Sequence, residues 1–443
     1  MANAVFFQAR WREHPLYSMR FRDQLCPPTA RSLVCFLCLS VTLTNAALAD
    51  SDKTTTTTGR DGVPHVANPA DPAGGQVTVE LEELWRLGGY SDDDNEFFGV
   101  ISQCREDAEG NLYLLDSQLS EVKVFSPEGE YLRTIGRQGE GPGEFRNSND
   151  LFLGFGNVVG VVQVWPGKIV RLTTDGEPLD NFPLPSVEGG GFQLVFSTRA
   201  LEDRVVIAGQ QQRSVEGKQV AIVYLKAFDS EGNELAHYHQ ETQETRFGSM
   251  EFDEKSFTSF QQRWALAPDG RVFAALSFDD YAIHVWRPDG TLDRVIEREF
   301  EPLQRTDRQK DRFQRMFDGI TRWNPNSTFQ VSPTHQAISR LFAREDGTLW
   351  VLSSRGVYDR PEGTLAVFDV FDRDGRFAEQ VRLDGPGDPE GDGIYLSGDR
   401  LYLATSQWSA MMGSLGIDTA EEDPDPVSVI GYRMNGMEAA GRP

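Results

Sequence analysis

A strand–turn–strand pattern that returns six times constrains this chain more than any other feature. "VKVFSPEGEYL" at 122–132 is followed by "IVRLTTDGEPL" at 169–179, "VYLKAFDSEGNEL" at 223–235, "IHVWRPDGTL" at 283–292, "VFDVFDRDGRF" at 367–377 and "VSVIGYRMNGM" at 427–437. In each copy apolar residues alternate around a tight turn. The turn glycines Gly129, Gly176, Gly232, Gly290, Gly375 and Gly436 supply the positive φ that a hairpin needs. A second hairpin precedes most copies: "AEGNLYLLD" at 108–116, "PDGRVFAAL" at 268–276, "EDGTLWVLS" at 345–353 and "SGDRLYLAT" at 397–405, with weaker forms at 155–164 and 201–209. Two hairpins make a four-stranded antiparallel unit, and six such units predict an all-β, six-bladed propeller. A sandwich of hairpins would not need six equivalent units.

The chain ends imply how the ring closes. "VTVELEELWRLGG" at 77–89 alternates like an outer strand, whereas the last copy stops soon after its turn. The first strand is therefore expected to complete the last blade and remove its open edge.

"TIGRQGEGPGEF" at 134–145 holds four glycines, Gly136, Gly139, Gly141 and Gly143. A phosphate loop would need Lys-Ser/Thr or a helix start after the last glycine. Here Glu144 and Phe145 follow, and Glu140 and Glu144 would repel a phosphate. The glycine loop ending in Phe, then "GNLYLLD", then "VKVFSPEG", resembles the NHL-repeat type of six-bladed β-propeller. The resemblance covers residues 88–145 clearly and continues as a skeleton to 436. It implies that the glycines form a blade-to-blade crossover and that Phe145 wedges between blades. The usual Pro after the Phe is absent, and the Asp matched by Asp116 is missing at Ala208, Leu276, Ser353 and Thr405. The fold carries over; a shared ligand does not.

The N-terminus reads as export machinery. Arg31 precedes the apolar run Leu33–Ala49, and Ala47 and Ala49 form an A-x-A-like cleavage site, so residues 1–49 are expected to be a signal peptide. Met1 and Met19 both remain possible starts. The run is too short and polar for a stable membrane span. Residues 50–75 are rich in Thr, Gly and Pro and read as a flexible linker, leaving 76–443 as the propeller. Three of the four cysteines fall in the signal, so Cys104 has no partner for an intrachain disulfide. Residues 1–49 hold five Arg and two acids, so removing them takes the net charge from −25 to −28. Such a field repels nucleic acid and anionic membranes. A periplasmic or extracellular monomer is expected.

Short acidic turns join strands a–b and c–d, on one face of a propeller. The long segments 240–258, 299–336, 354–363 and 406–426 all fall at d–a or b–c, on the other face. Function concentrates on such elaborated loops. Within 299–336, Phe313, Met316, Phe317 and Ile320 share one helical face, started by Thr306 or Asp307 and ended by Asn324-Pro325. This helix either packs its face on the propeller or lids the central mouth.

Seven residues before Gly110, Gly270 and Gly347 stand Gln103, Arg263 and Arg340. At equivalent inner-strand positions they predict a wet channel whose two arginines meet an anionic group. Asp92, Asp94 and Glu96 in "SDDDNE" alternate and offer oxygen ligands for Ca²⁺, without EF-hand spacing; a second acidic loop lies at 384–393. His237 and His239 lack a third zinc ligand. No G-x-S-x-G elbow occurs. No cofactor is predicted. These features point to a binding module for a protein, peptide, glycan or small anionic ligand. The resemblance supplies an alternative, a metal-dependent hydrolase, lactonase or lyase with its site at the channel mouth.

Overall fold

The alternating runs form antiparallel strands, and their pairing gives six blades around one axis. The computed structural model describes residues 53–436 apart from 61, 188, 216–217, 246–250, 258–259, 322–327 and 418–424. The segment 1–49 read as a signal peptide and the Asn324-Pro325 helix stop lie outside these residues.

Blade 1 is Ile101–Glu106, Leu112–Asp116, Glu121–Phe125 and Tyr131–Ile135. Blade 2 is Ser148–Gly154, Val158–Gln163 and Lys168–Thr173, with a single Leu172–Pro178 bridge in place of a regular fourth strand. Blade 3 is Phe192–Ala200, Val205–Val215, Lys218–Phe228 and Glu234–Thr245, and blade 4 is Trp264–Leu266, Val272–Ala274, Ala282–Trp286 and Leu292–Arg298. Blade 5 is Ile338–Ala343, Leu349–Ser353, Thr364–Phe371 and Phe377–Asp384. Blade 6 is Gly393–Ser397, Arg400–Ala404 and Ser428–Met434, completed by the N-terminal strand Gln76–Gly88. All six turn glycines have the expected positive φ, between +80° and +93°.

Ring closure follows the sequence expectation. Gln76–Gly88 pairs antiparallel with Ser428–Met434, from Gly88 opposite Ser428 to Leu81 opposite Met434. Its first five residues also pair in parallel with Gln380–Asp384 of blade 5. One strand thus ties two neighbouring sheets.

The core is not at the centre. It is divided among six apolar clusters in the described residues, each shared by two adjacent blades. Along blade 3, Val205 and Ile207 face blade 2 beside Phe152 and Ile169, while Val206 and Ala208 face blade 4 beside Trp264 and Val272. The period-two alternation of the strand serves two cores at once.

The glycine-rich loop is a crossover. Phe145 is fully buried among blade 1 and blade 2 residues such as Ile135, Val161 and Leu172. Its ring occupies the space a Gly136 side chain would need. The Glu144 carboxylate accepts from the Gly141 N–H at 2.8 Å and from Arg137 Nε at 2.8 Å, and these bonds, the Gly141 bond foremost, hold it below the usual carboxylate range. The loop therefore encloses an anion of its own chain. Asp116, also fully buried, accepts the N–H groups of Gly99, Val100, Gln118 and Leu119 and fixes the entry to blade 1.

The reading of 50–75 as a flexible linker is corrected. Thr55–Thr58 and Pro64–Asn68 form a hairpin, and Pro64–Asn68 adds in parallel to the outer strand of blade 4, His65 opposite Val295 through Asn68 opposite Arg298. Asn68 is buried. Its Nδ2 donates to the carbonyls of Val66, Glu297 and Gly375, and its Oδ1 accepts from the Phe377 N–H and the Thr54 hydroxyl. Docking rests on a buried amide rather than on an apolar stripe, so hydropathy does not reveal it. Asn68→Ala leaves several buried groups unpaired and should cost about 2–3 kcal/mol in urea unfolding. Thr57→Ala, on the exposed strand, should stay within about 0.5 kcal/mol.

Candidate functional site

Each inner strand runs from the insert face to an a–b turn, and the inner strands of five blades wall a central cavity of about 570 Å³. Its lining begins at Ser102, Ser339 and Gln407 and ends at Asp346 and Asp399 on the turn face. At the insert end Ile101 and Ile338 are fully buried. There Gln407, on the helix Gln407–Ser414, donates through Nε2 to the Ile101 carbonyl at 2.5 Å and to the Tyr395 hydroxyl at 3.3 Å.

The polar centre is organised by Asp150 of blade 2, which is 2% exposed. A carboxylate buried to that degree needs strong partners. It accepts from Gln103 Nε2 at 2.5 Å, the Thr198 N–H at 2.6 Å, the Leu151 N–H at 3.0 Å and Arg199 Nη1 at 3.2 Å. Arg105 Nη2 lies 3.7 Å away, too far for a hydrogen bond, and is buried without one. Gln103 Oε1 in turn accepts from Arg105 Nη1 at 2.8 Å. Burial, then the neighbouring Arg199 charge, pushes the Arg105 guanidinium down to about 10, so it stays cationic at neutral pH.

The three sequence-predicted channel residues separate. Gln103 and Arg340 line the cavity; Arg263 is not among the residues that do. Arg340 donates from Nη1 to the Ile394 carbonyl at 2.9 Å, bridging blades 5 and 6, and makes no ion pair among the described residues. Arg263 is 2% exposed, donates from Nη1 to the Ser277 carbonyl at 2.5 Å, and is pushed down to about 10 by burial. It precedes its strand rather than belonging to it: the chain leaves the 3₁₀ turn Phe260–Gln262, and the Arg263 N–H is bonded to Phe260. Register counted from the turn glycine therefore misplaces its side chain. Arg105 and Arg199 were not identified from sequence. Arg105 lies two residues beyond Gln103 on the same strand face, a signal available in the period. Arg199 precedes an a–b turn, Leu201–Arg204, that has no glycine to align on.

The metal candidates do not converge. Asp94–Glu96 is one 3₁₀ turn capped by Asp93; Asp92 and Asp94 are exposed, and Glu96 accepts the Gly88 N–H. Among the described residues no three His, Cys, Asp or Glu side chains are grouped to hold a metal ion. Cys104, on the cavity wall, has its thiol pushed far above the usual value by burial.

The inserts clamp one another. Glu251–Asp253 pairs in parallel with Thr328–Gln330. Arg305 reaches Glu254 through two bonds, 2.5 and 2.6 Å, with both side chains almost fully buried. The helix Asp307–Thr321 begins in a capping box, the Gln309 N–H donating to the Thr306 hydroxyl and the Thr306 N–H to Gln309 Oε1. Phe317 is fully buried, and Phe313 meets Trp408 at 6.2 Å, so this helix packs its apolar face. His335 stacks on Tyr358 at 3.8 Å, with Nδ1 3.4 Å from Arg305 Nε and Nε2 3.2 Å from Gln309.

The chain belongs to the 6-bladed beta-propeller family DUF5128, whose model matches residues 92–366. Similar solved structures include an inferred exported protein from Bacteroides fragilis, 15% identical, covering 84% of this chain and 99% of that one with a TM-score of 0.44. A DUF4221 family member from Bacteroides vulgatus is 10% identical, covers 81% and 98%, and has a TM-score of 0.46. A gluconolactonase from Xanthomonas campestris is 12% identical, covers 80% and 89%, and has a TM-score of 0.40. No curated protein matches the chain. No helix among the described residues is long and apolar enough to cross a membrane.

Desolvation, then the Arg305 charge, lowers the pKa of His335 from 6.5 to about 4. The folded protein therefore holds it neutral while the unfolded chain takes up a proton. Stability present above pH 6.5 should be lost as pH falls toward 4, by roughly 2–3 kcal/mol from this group. Urea unfolding of wild type and His335→Gln between pH 7 and 4 should show a shallower decline in the variant.

Proposed function

We propose that the protein is an exported, NHL-like propeller that binds a small anionic ligand in its central channel, admitted from the turn face. One observation carries this reading: Arg105 and Arg199 share the single carboxylate of Asp150, while Arg340 has none. The middle of the channel thus holds surplus positive charge inside a protein of net charge −25, while Glu106, Glu345, Asp346 and Asp399 line its turn end. Guanidinium groups in a partly desolvated cavity act at short range, whereas surface carboxylates beyond roughly 10 Å are screened. The glycine crossover and the Phe145 wedge support the NHL-type repeat, and the Leu33–Ala49 run supports export.

The reading moves the ligand from the insert face, where sequence pointed, to the turn face. Gln407 and Tyr395 bond across the insert end, and among the described insert residues Arg305 is held by Glu254 and Arg312 by Glu390. Binding is favoured over turnover because the arginines can orient and neutralise an anion but supply neither base nor nucleophile, and the Cys104 thiol is held protonated. Calorimetric titration with glutarate and with sulfate should show saturable binding that weakens at high salt. Arg340→Met should weaken it by about tenfold or more, and because it also removes the bond to the Ile394 carbonyl the ligand-free protein should lose about 1 kcal/mol of stability. Equal affinity in wild type and variant, or no binding of either anion, would overturn the reading.

A further inference from the structure

The inner strands bring different chemistry to different sides of the channel. In the ladder between the first two strands of each blade, Arg105, Arg199, Ala265, Phe342 and Leu396 all stand at the penultimate pair before the turn. All five line the cavity. One layer of the ring therefore carries guanidinium groups on blades 1 and 3 and apolar side chains on blades 4, 5 and 6. Arg105 Nη2 is buried in this layer without a hydrogen bond. Phe342 and Leu396 pack against a blade core and still keep part of their surface open.

The sides differ at the turn end as well. Glu106, Glu345, Asp346 and Asp399 come from blades 1, 5 and 6, with Arg344 among the last three. Blades 3 and 4 bring Leu201, Leu266 and Pro268 instead, and among the described lining residues they bring no carboxylate. Leu201 stands two residues beyond Arg199, and Leu266 is next to Ala265, so this apolar sector continues the layer of the arginines. Leu201 and Leu266 are half-buried, and Pro268 is exposed. An anion held at Arg105 and Arg199 can lay an apolar body along this sector, on the side away from the acids, and so remove apolar surface from water. A small inorganic oxyanion would leave the sector wet. We infer that the channel ligand is an amphiphilic monoanion, a carboxylate whose aliphatic body lies on Leu201 and Leu266. The inference rests on the anion-binding reading of the same channel and adds the apolar body and its seat.

The test is a chain-length series, propionate, pentanoate and heptanoate, titrated calorimetrically into the purified protein with neutral heptanamide as the control. Affinity should rise by about threefold per added methylene, and heptanamide should bind about tenfold or more weakly than heptanoate. Leu266→Asn and Leu201→Asn, each taken singly, should flatten the series, which a loss of folded protein alone would not do. If propionate and heptanoate bind alike and heptanamide binds worse, the amphiphile inference is wrong and the anion reading stands. A steep series that neither variant flattens overturns the seat on blades 3 and 4. If heptanamide binds as tightly as heptanoate, the anion reading falls and the inference with it. If no carboxylate binds at millimolar concentration the inference falls, and the sulfate titration decides the anion reading.

Discussion

Each of the six blades is buried on both faces by its neighbours, and the rest of the structure depends on that constraint. A blade cannot bury its two apolar sides alone; each side needs a neighbour. The six inter-blade clusters meet this need pairwise, from Ile135 against Leu172 between blades 1 and 2 to Leu87 and Val429 against Phe98 and Ile101 between blades 6 and 1. A linear stack would leave two apolar faces in water, so the stack closes. Closure in turn requires the N-terminal strand, which fills the outer position of blade 6 and reaches blade 5 as well.

Because the cores lie between blades, the axis is left to backbone and to side chains too long or too polar for the clusters. The inner strands converge there from five blades, and the polar side chains they bring include Gln103, Arg105, Arg199 and Arg340, with Asp150 of blade 2 bonded to Gln103 and Arg199. Asp150 is the pivot. Deep burial demands compensation, and its partners come from blades 1 and 3 as well as its own. A carboxylate so placed sets the position of two guanidinium groups without neutralising both. Removing it would leave Arg105 and Arg199 close together with no intervening anion. The surplus charge is thus a built feature of the ring and not an accident of a mobile side chain.

The fold was legible because propeller repeats depend on local signals. Turn glycines such as Gly129 and Gly375 are forced by positive φ, and Phe145 is marked by the glycines that make room for it. The site was half legible. Gln103 and Arg340 emerged from counting back from a turn, which works only where the strand reaches the counted position. In blade 4 it does not, and Arg263 turns into the protein to meet the Ser277 carbonyl. In blade 3 the turn has no glycine, so Arg199 escaped the alignment altogether. Asn68 shows the same limit elsewhere: its five partners come from distant parts of the chain or from its own strand, and no periodicity announces an amide that satisfies buried backbone.

The two faces of the ring also differ for a physical reason that precedes function. The a–b and c–d turns are closed by aspartates that accept backbone N–H groups within the turn, as Asp107 does for Glu109 and Asn111, Asp229 for Glu231 and Asn233, and Asp372 for Asp374 and Arg376. Tight-turn chemistry alone therefore makes that face acidic. Asp346 belongs to this set. Glu345 and Asp399 make no such bond, so the turn does not require their charge. On the insert face, among the described residues, Glu254 and Glu390 are matched by Arg305 and Arg312, pairs that hold the inserts together. A ligand approaching the axis thus meets, on one side, the Gln407 bond to the Ile101 carbonyl and the buried Glu254–Arg305 pair. On the other it meets an acidic rim above a basic interior. Turn geometry accounts for Asp346 and one buried aspartate for the placed arginines; Glu345 and Asp399 are extra charges that neither requires.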